Sequence, residues 1–195
     1  MKKTVAIVGS SGAIGSAFCK RLLEDHSIEK MYKFARNNFN KESENEINIS
    51  IDIEDEDSLK KAVEELPEDT RFDLIFVATG ILHNDDNIFP EKSIKDISID
   101  KLKKVFMVNT FGPTLLGKYL IPFLNKEKSV FAFLSARVGS ISDNVLGGWY
   151  SYRASKTALN QMIKNFSIEV KRSNQNAIFV GLQPGTVKSY LSKPF

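Results

Sequence analysis

Short apolar runs alternate with amphipathic helical patterns along this chain of 195 residues. The run DLIFVATG is apolar at consecutive positions, which is typical of a strand buried on both faces in a parallel sheet. Five other runs are predicted to be strands: TVAIVG, KMYKFAR, INISID, SVFAFLSA and AIFVGLQPG. Helical patterns lie between them at residues 13–25, 55–66, 100–125 and 150–172. The alternation predicts an α/β fold with a doubly wound parallel sheet and right-handed crossovers.

Composition argues against several classes of protein. The net charge is +3 and no basic tract is present, so a nucleic-acid interface is not predicted. Cys19 is the single cysteine and the two histidines, His26 and His83, are far apart, so no metal site is predicted. No apolar run approaches the roughly 20 residues that span a bilayer. We therefore expect a cytoplasmic protein that binds no membrane.

The stretch VGSSGAIG, residues 8–15, follows the first strand and precedes the first helix. In this context Gly9 lets the chain turn off the strand, Gly15 lets the helix pack closely, and the free N–H groups of the helix can receive a pyrophosphate. Its spacing is G-x-x-G-x-x-G, or G-x-x-x-A-x-G with Ala13 at the middle position. We expect Gly12 to supply an unusual backbone angle just before Ala13. A glycine turn without a ligand is the alternative.

Tyr152 and Lys156 are spaced i, i+4 within YSYRASK, so a helix presents both on one face. A phenol has a pKa of about 10, which makes it a poor acid–base catalyst at neutral pH. A nearby ammonium would lower that pKa and let Tyr152 exchange a proton with a carbonyl or alcohol oxygen. Tyr150 lies on another face and has no lysine four residues later. An ordinary surface pair is the alternative interpretation.

Six segments occur in an order that resembles the short-chain dehydrogenase/reductase family: GSSGAIG, SIDIED, VATG, MVNTFGP, YRASK and QPGTV. LSARVGSISDN and GGWYSYRASKTALN further resemble its C-factor-like branch. The resemblance implies a Rossmann-like, three-layer α/β/α fold with strand order 3-2-1-4-5-6. It also implies a homodimer or homotetramer and a nicotinamide dinucleotide cofactor.

The same resemblance implies roles for individual residues. Lys156 would bond the nicotinamide ribose, and Asn109 would hold a water in a proton relay behind this lysine. A helix-kink residue is the alternative for Asn109. Asp52 would bond the adenine, with Ile53 beside it. Other implied cofactor contacts are Gly9, Ser11, Gly12, Ala13, Ile14 and Gly15 in the turn, Ala78, Thr79 and Gly80 after strand four, Tyr152, and Pro184, Gly185, Thr186 and Val187 over the nicotinamide, with Ser189 in the place of a frequent threonine.

The end of the second strand bears on the choice of cofactor. It reads FARNN, with Arg36 and Asn37 where an NAD-preferring site carries an acid for the ribose hydroxyls. A guanidinium favours a 2′-phosphate through charge-assisted hydrogen bonds. We therefore predict NADP over NAD. A solvent-facing arginine is the alternative.

The chain departs from the family pattern in two places. Counting back from Gly139 puts Ala136 at the usual catalytic serine, so either Ser135 or Ser140 would orient the carbonyl, and we favour Ser135. Residues 1–195 form one predicted domain that lacks the family's substrate-covering segment and seventh strand, and we favour truncation as the reason. The loop from Ile81 to Asp96 is then the remaining candidate wall of the substrate pocket.

The main functional hypothesis is an NADP-dependent oxidoreductase acting on a small carbonyl or alcohol, with Tyr152 as acid–base, Lys156 tuning it and a serine orienting the oxygen. The alternative is a dinucleotide-binding signalling or sensor protein with little turnover, which the missing second serine and the C-factor resemblance favour. A sugar-nucleotide epimerase is a weaker third hypothesis because the chain is too short for its substrate domain.

Overall fold

Six parallel strands form one sheet in this computed structural model, which describes residues 2–37, 44–84, 88–185 and 187. Their order across the sheet is β3-β2-β1-β4-β5-β6, which confirms the predicted order. The strands are β1 (Lys3–Val8), β2 (Ile28–Ala35), β3 (Glu46–Ser50), β4 (Leu74–Val77), β5 (Ser129–Leu134) and β6 (Ala177–Leu182).

The helices occupy the predicted stretches, but one stretch is divided. They are α1 (Ala13–Leu23), α2 (Glu56–Glu64), α3 (Ile99–Phe106), α4 (Gly112–Leu120) and α5 (Tyr150–Val170). A π-helical segment, Met107–Phe111, joins α3 to α4. Pro113 has no amide hydrogen to donate to the carbonyl of residue 109, so the regular α-helical ladder is broken at this point.

Side chains alternate between the two faces of the sheet, as strand geometry requires. On β1, Ala6 and Val8 enter a large core that also contains buried side chains of α2, α4 and α5. Val5 and Ile7 enter a smaller core on the other face, against α1. The chain therefore has the predicted three layers.

The strand order reverses between β1 and β4, which are neighbours although they are not consecutive in the chain. In doubly wound sheets the crevice outside the carboxyl ends of the strands at such a point is where ligands bind. Gly112 lies against this region, since a Cβ at Gly112 would come within 2.7 Å of the carbonyl oxygen of Ile53.

The opposite, amino edge of the sheet is held together by Asp73. Its carboxylate accepts the backbone N–H of Thr4 at 2.8 Å and the side-chain amide of Asn125 at 2.9 Å. Its own backbone N–H donates to the Thr4 carbonyl, and its carbonyl accepts from Val130 N–H. One residue thus connects the beginnings of β1, β4 and β5.

The glycines of the first turn differ from the prediction in which of them has the unusual backbone angle. Gly9 carries the unusual angle, with φ +81°, whereas Gly12 has an ordinary extended backbone with φ −73°. The expectation for Gly12 was wrong because the chain turns directly off β1 and then enters the helix. A Cβ at Gly15 would lie 2.2 Å from the Gly9 carbonyl oxygen, so Gly15 is required for close packing, as predicted. Ala13 is exposed at the first position of α1.

Some predictions lie outside the described residues. Thr186 and Ser189 are not among them, and neither are residues 85–87 of the loop from Ile81 to Asp96. No helix in the described ranges is long and apolar enough to cross a membrane.

The contact between Gly15 and Gly9 gives a test of the turn. Gly15→Ala should lower the free energy of unfolding by about 1–3 kcal/mol, because the added methyl group overpacks the turn. Urea denaturation would measure the loss. Ala13→Gly is the matched control and should cost less than about 1 kcal/mol. A Gly15→Ala protein as stable as the wild type would show that the turn can move apart freely.

Candidate active site

A cleft of about 460 Å³ lies at the carboxyl ends of β1 to β4. The structure brings nine of the predicted cofactor residues to its lining: Gly9, Ser11, Gly12, Arg36, Asp52, Ile53, Ala78, Thr79 and Gly80. Ala13, Ile14 and Gly15 belong to the adjacent helix and do not line this cleft. The predicted catalytic residues lie beyond its Gly80 end.

An ion pair that could not be predicted from the sequence lines one wall of the cleft. Lys104 Nζ lies 2.7 Å from both carboxylate oxygens of Glu54, and both residues line the cleft. The partners are separated by fifty positions and belong to no local motif, so no sequence signal connects them.

Several groups in the cleft fit a polar, anionic ligand such as a dinucleotide. Thr79 Oγ1 is buried without a hydrogen-bond partner in the described part of the chain, so its donor and acceptor capacity is available to a ligand. Gly12, which directly precedes helix α1, provides no side-chain cap, and the first turn of α1 has no acidic residue, which suits the binding of a phosphate. The exposed Arg36 adds positive charge at the end of β2.

Lys156 and Tyr152 lie one turn apart on α5, as predicted. Lys156 is 2% exposed, and its Nζ donates to the carbonyl oxygen of Leu134 at 2.7 Å. The same Nζ is 5.9 Å from the centroid of the Tyr152 ring. A Cβ at Gly80 would lie 3.4 Å from Lys156 Nζ, so the end of the cleft meets the lysine directly.

Asn109 connects this pair to the end of β4. Its side-chain oxygen accepts Ile81 N–H at 2.8 Å, and its amide nitrogen donates to the Ile81 carbonyl at 2.9 Å and to Ser155 Oγ at 3.1 Å. Ser155 precedes Lys156 in YRASK, and its hydroxyl was not predicted to take part. Asn109 is completely buried within the π-helical segment. The water-relay role predicted for it stays a prediction.

Burial controls the ionisation of the tyrosine–lysine pair. It raises the pKa of Tyr152 to about 12 and lowers the pKa of Lys156 to about 7. The expectation that a neighbouring ammonium lowers the phenol pKa is not met in this structure. Desolvation disfavours the charged form of each group and outweighs their attraction at this separation.

The two candidate serines have different partners. Ser135 Oγ donates to Asn160 Oδ1 at 2.6 Å. The alternation of side chains along a strand could not predict this partner. Ser140 Oγ lies 3.4 Å from Ser142 Oγ and accepts the backbone N–H of Asp143 at 3.4 Å. Which of them orients a carbonyl stays a prediction.

The segment after β6 is only partly described. Pro184 and Gly185 are exposed, and Gly185 has φ +72° with nothing near its Cβ position. Val187 is half-buried. Their predicted contact with the nicotinamide stays a prediction.

A sequence profile of the family described as short chain dehydrogenase matches residues 3–195. The chain belongs to this family. Its relatives include the 1-hydroxy-2-glutathionyl-2-methyl-3-butene dehydrogenase of Rhodococcus sp. (strain AD45), which is 29% identical over 146 residues. That match covers 74% of this chain and 60% of the relative. The C-signal protein of Myxococcus xanthus is 28% identical over 103 residues, covering 52% of this chain and 61% of that protein. The matches thus span about three fifths of these relatives.

Solved structures of other proteins share the fold of this chain. The carbonyl reductase Sniffer of D. melanogaster superposes with a TM-score of 0.86 at 25% identity, covering 98% of this chain and 84% of that one. The NADPH-bound carbonyl reductase from chicken fatty liver gives a TM-score of 0.85 at 22% identity, covering 98% of this chain and 78% of that one.

The buried lysine makes stability depend on pH. The folded-state pKa of Lys156 is below its unfolded value, so the unfolded chain binds more protons between about pH 7 and pH 10. Lys156 therefore destabilises the fold most below pH 7, and this cost falls as the pH rises. Lys156→Met should be more stable than wild type by a margin that shrinks from pH 6 to pH 10 in urea denaturation. A margin that does not change with pH would contradict the lowered pKa.

Proposed function

We propose that this chain is an NADP-dependent oxidoreductase that transfers hydride between nicotinamide and a small carbonyl or alcohol, with Tyr152 as acid–base. The observation that carries the proposal is the continuity at Gly80 between the cleft and the cluster of Tyr152, Lys156 and Asn109. A dinucleotide held in the cleft, with its nicotinamide extending past Gly80 toward Lys156, would lie beside the titratable pair.

Residues of the cleft would bind the cofactor. Thr79 and Gly80 would contact a ribose, Asp52 and Ile53 would contact the adenine, and the start of α1 would bind the pyrophosphate. When bound, the cofactor supplies or accepts the hydride. The chicken carbonyl reductase structure is bound to NADPH, and the similarity of its fold supports the same cofactor class here.

Tyr152 and Lys156 would handle the proton. In carbonyl reduction the hydride forms a bond to the carbonyl carbon, and Tyr152 Oη gives its proton to the oxygen, which leaves a phenolate. With a pKa of about 12, Tyr152 holds its proton at neutral pH. Burial lowers the pKa of Lys156 to about 7, so this residue can change charge near neutral pH, and its charged form would stabilise the phenolate.

The mechanism also requires a serine that orients the carbonyl. A serine hydroxyl has one hydrogen to donate, and that of Ser135 is engaged with Asn160. This engagement and the similarity to C-signal favour a second candidate, a dinucleotide-binding signalling or sensor protein of the C-factor type with little turnover. The cytoplasmic location, the homo-oligomer and the organisation of residues 1–195 as a single domain are also proposals.

Replacing the phenol tests the acid–base role. Tyr152→Phe should lower kcat about 10²–10⁴-fold on any carbonyl that the wild type reduces, because the proton donor is lost. NADPH oxidation over a panel of small ketones and aldehydes would measure kcat, and fluorescence titration would show unchanged NADPH affinity. Tyr150→Phe is the matched control and should keep full activity, because this half-exposed tyrosine lies on another helix face.

The same assay separates the two candidate functions. Equal turnover by Tyr152→Phe and wild type would refute the acid–base role. Tight NADPH binding by the wild type with no turnover on any member of the panel would favour the sensor. Ser135→Ala and Ser140→Ala, measured on the same carbonyls, would identify the serine that orients the oxygen by its loss of kcat.

Arg36 tests the choice of cofactor. Arg36→Asp should lower the ratio of kcat/KM for NADPH to that for NADH about 10- to 100-fold, because it replaces a charge-assisted bond to the 2′-phosphate by repulsion. Arg21→Asp is the control, since Arg21 is exposed on α1, pairs with Glu24 and does not line the cleft. An unchanged ratio in Arg36→Asp would assign the preference to other residues.

A further inference from the structure

A buried carboxylate reaches the beginning of the helix that carries Tyr152. Glu91 lies in the loop between β4 and α3 and is 1% exposed. Its carboxylate accepts the hydroxyl of Ser151 at 2.6 Å and the backbone N–H of Ser151 at 3.2 Å. Its backbone carbonyl accepts the N–H of Trp149. Glu91 therefore holds two of the three residues that directly precede Tyr152.

The segment that Glu91 holds has an unfavourable backbone. Gly147, Gly148 and Trp149 have φ values of +67°, +63° and +50° in succession. Trp149 is the one non-glycine residue with positive φ among the described residues. A left-handed conformation costs an L-residue about 1–2 kcal/mol, so it persists only where surrounding contacts impose it. The hydrogen bond from Trp149 N–H to the backbone carbonyl of Glu91 is such a contact.

The charge of Glu91 also suits its position. Helix α5 has no side-chain cap from Trp149 and no acidic residue in its first turn. A carboxylate at this end of a helix is stabilised by the helix dipole and by the free N–H groups. Glu91 lies in a loop far from α5 in sequence, and it supplies the negative charge that the first turn of the helix lacks.

The segment that Glu91 holds also contacts the side chain of Tyr152. The Trp149 ring meets the Tyr152 ring edge-on, with 6.2 Å between centroids. A shift of Trp149 or Ser151 would move the first turn of α5 and the side chain that it presents toward Lys156. We propose that Glu91 is a positioning residue that fixes the orientation of Tyr152 for proton transfer. This inference rests on the proposed oxidoreductase function.

The test compares Glu91→Ala and Glu91→Gln with wild type. Glu91→Ala should lower kcat about 30-fold, because small displacements of a reacting group carry penalties of up to about 100-fold. The KM for NADPH should stay within about threefold, since Glu91 does not line the cleft. Glu91→Gln should recover most of the rate, because a glutamine can accept Ser151 N–H and donate to its hydroxyl. A lower kcat at nearly constant KM in Glu91→Ala, together with recovery of kcat in Glu91→Gln, would separate a positioning role from a general loss of fold.

The protein contains its own probe of this turn, because Trp149 is its single tryptophan. Glu91→Ala should change the Trp149 emission spectrum, whereas Glu91→Gln should change it little. Asp25→Asn is the control, since Asp25 also accepts a backbone N–H, that of Ser27 in the turn between α1 and β2, and does not line the cleft. It should leave both kcat and emission unchanged.

The kcat and the Trp149 emission of the variants together decide whether Glu91 is a positioning residue. If Glu91→Ala does not fold, Ser151→Ala replaces it and should lower kcat about threefold with a changed emission. Unchanged kcat and emission in the folded variant would overturn the positioning role, as would a Glu91→Gln protein as impaired as Glu91→Ala. Absence of carbonyl turnover in the wild type would refute the proposed function instead, and Trp149 emission would still decide whether Glu91 fixes this turn.

Discussion

The amide of Asn109 is the interaction on which the arrangement of the site depends. It bonds both backbone groups of Ile81 and the hydroxyl of Ser155, so it connects the end of β4 to α5 while completely buried. Without these partners the Asn109 amide would be a buried polar group left unsatisfied, which is costly. The π-helical segment brings Asn109 to this position, and Pro113 accounts for the break that follows. The distance between the cleft and the lysine is therefore set by one side chain and one local distortion.

The ionisation of the pair follows from the same burial. A site that excludes water strengthens the attraction between a phenolate and an ammonium, but it also disfavours the formation of each charge separately. With Lys156 directed to the Leu134 carbonyl and 5.9 Å from the ring centroid, desolvation prevails. A change in burial would thus act on both groups, because desolvation is the main cause of both pKa shifts.

Most of the fold and part of the site could be predicted because they rest on local patterns. Consecutive apolar positions in DLIFVATG indicated a central parallel strand, and the i, i+4 spacing of Tyr152 and Lys156 placed both on one turn of α5. The backbone angle at Gly12 was misjudged because spacing alone does not show which glycine of a turn carries the positive φ. Glu91, Asn160 and the pair of Glu54 with Lys104 were missed because each acts across a long separation in sequence. The pKa values required knowledge of burial, which residue order does not give.

The position of Asp73 has a consequence for how such a chain can change. The hydrogen bonds that align the starts of β1, β4 and β5 converge on this residue, at the edge opposite the cleft. Strand register is thus secured on one side of the sheet, while the loops that surround the cleft leave from the other. Insertions or substitutions in those loops can alter what is bound without disturbing strand alignment. The architecture separates the residues that keep the scaffold in register from those that can diversify its chemistry.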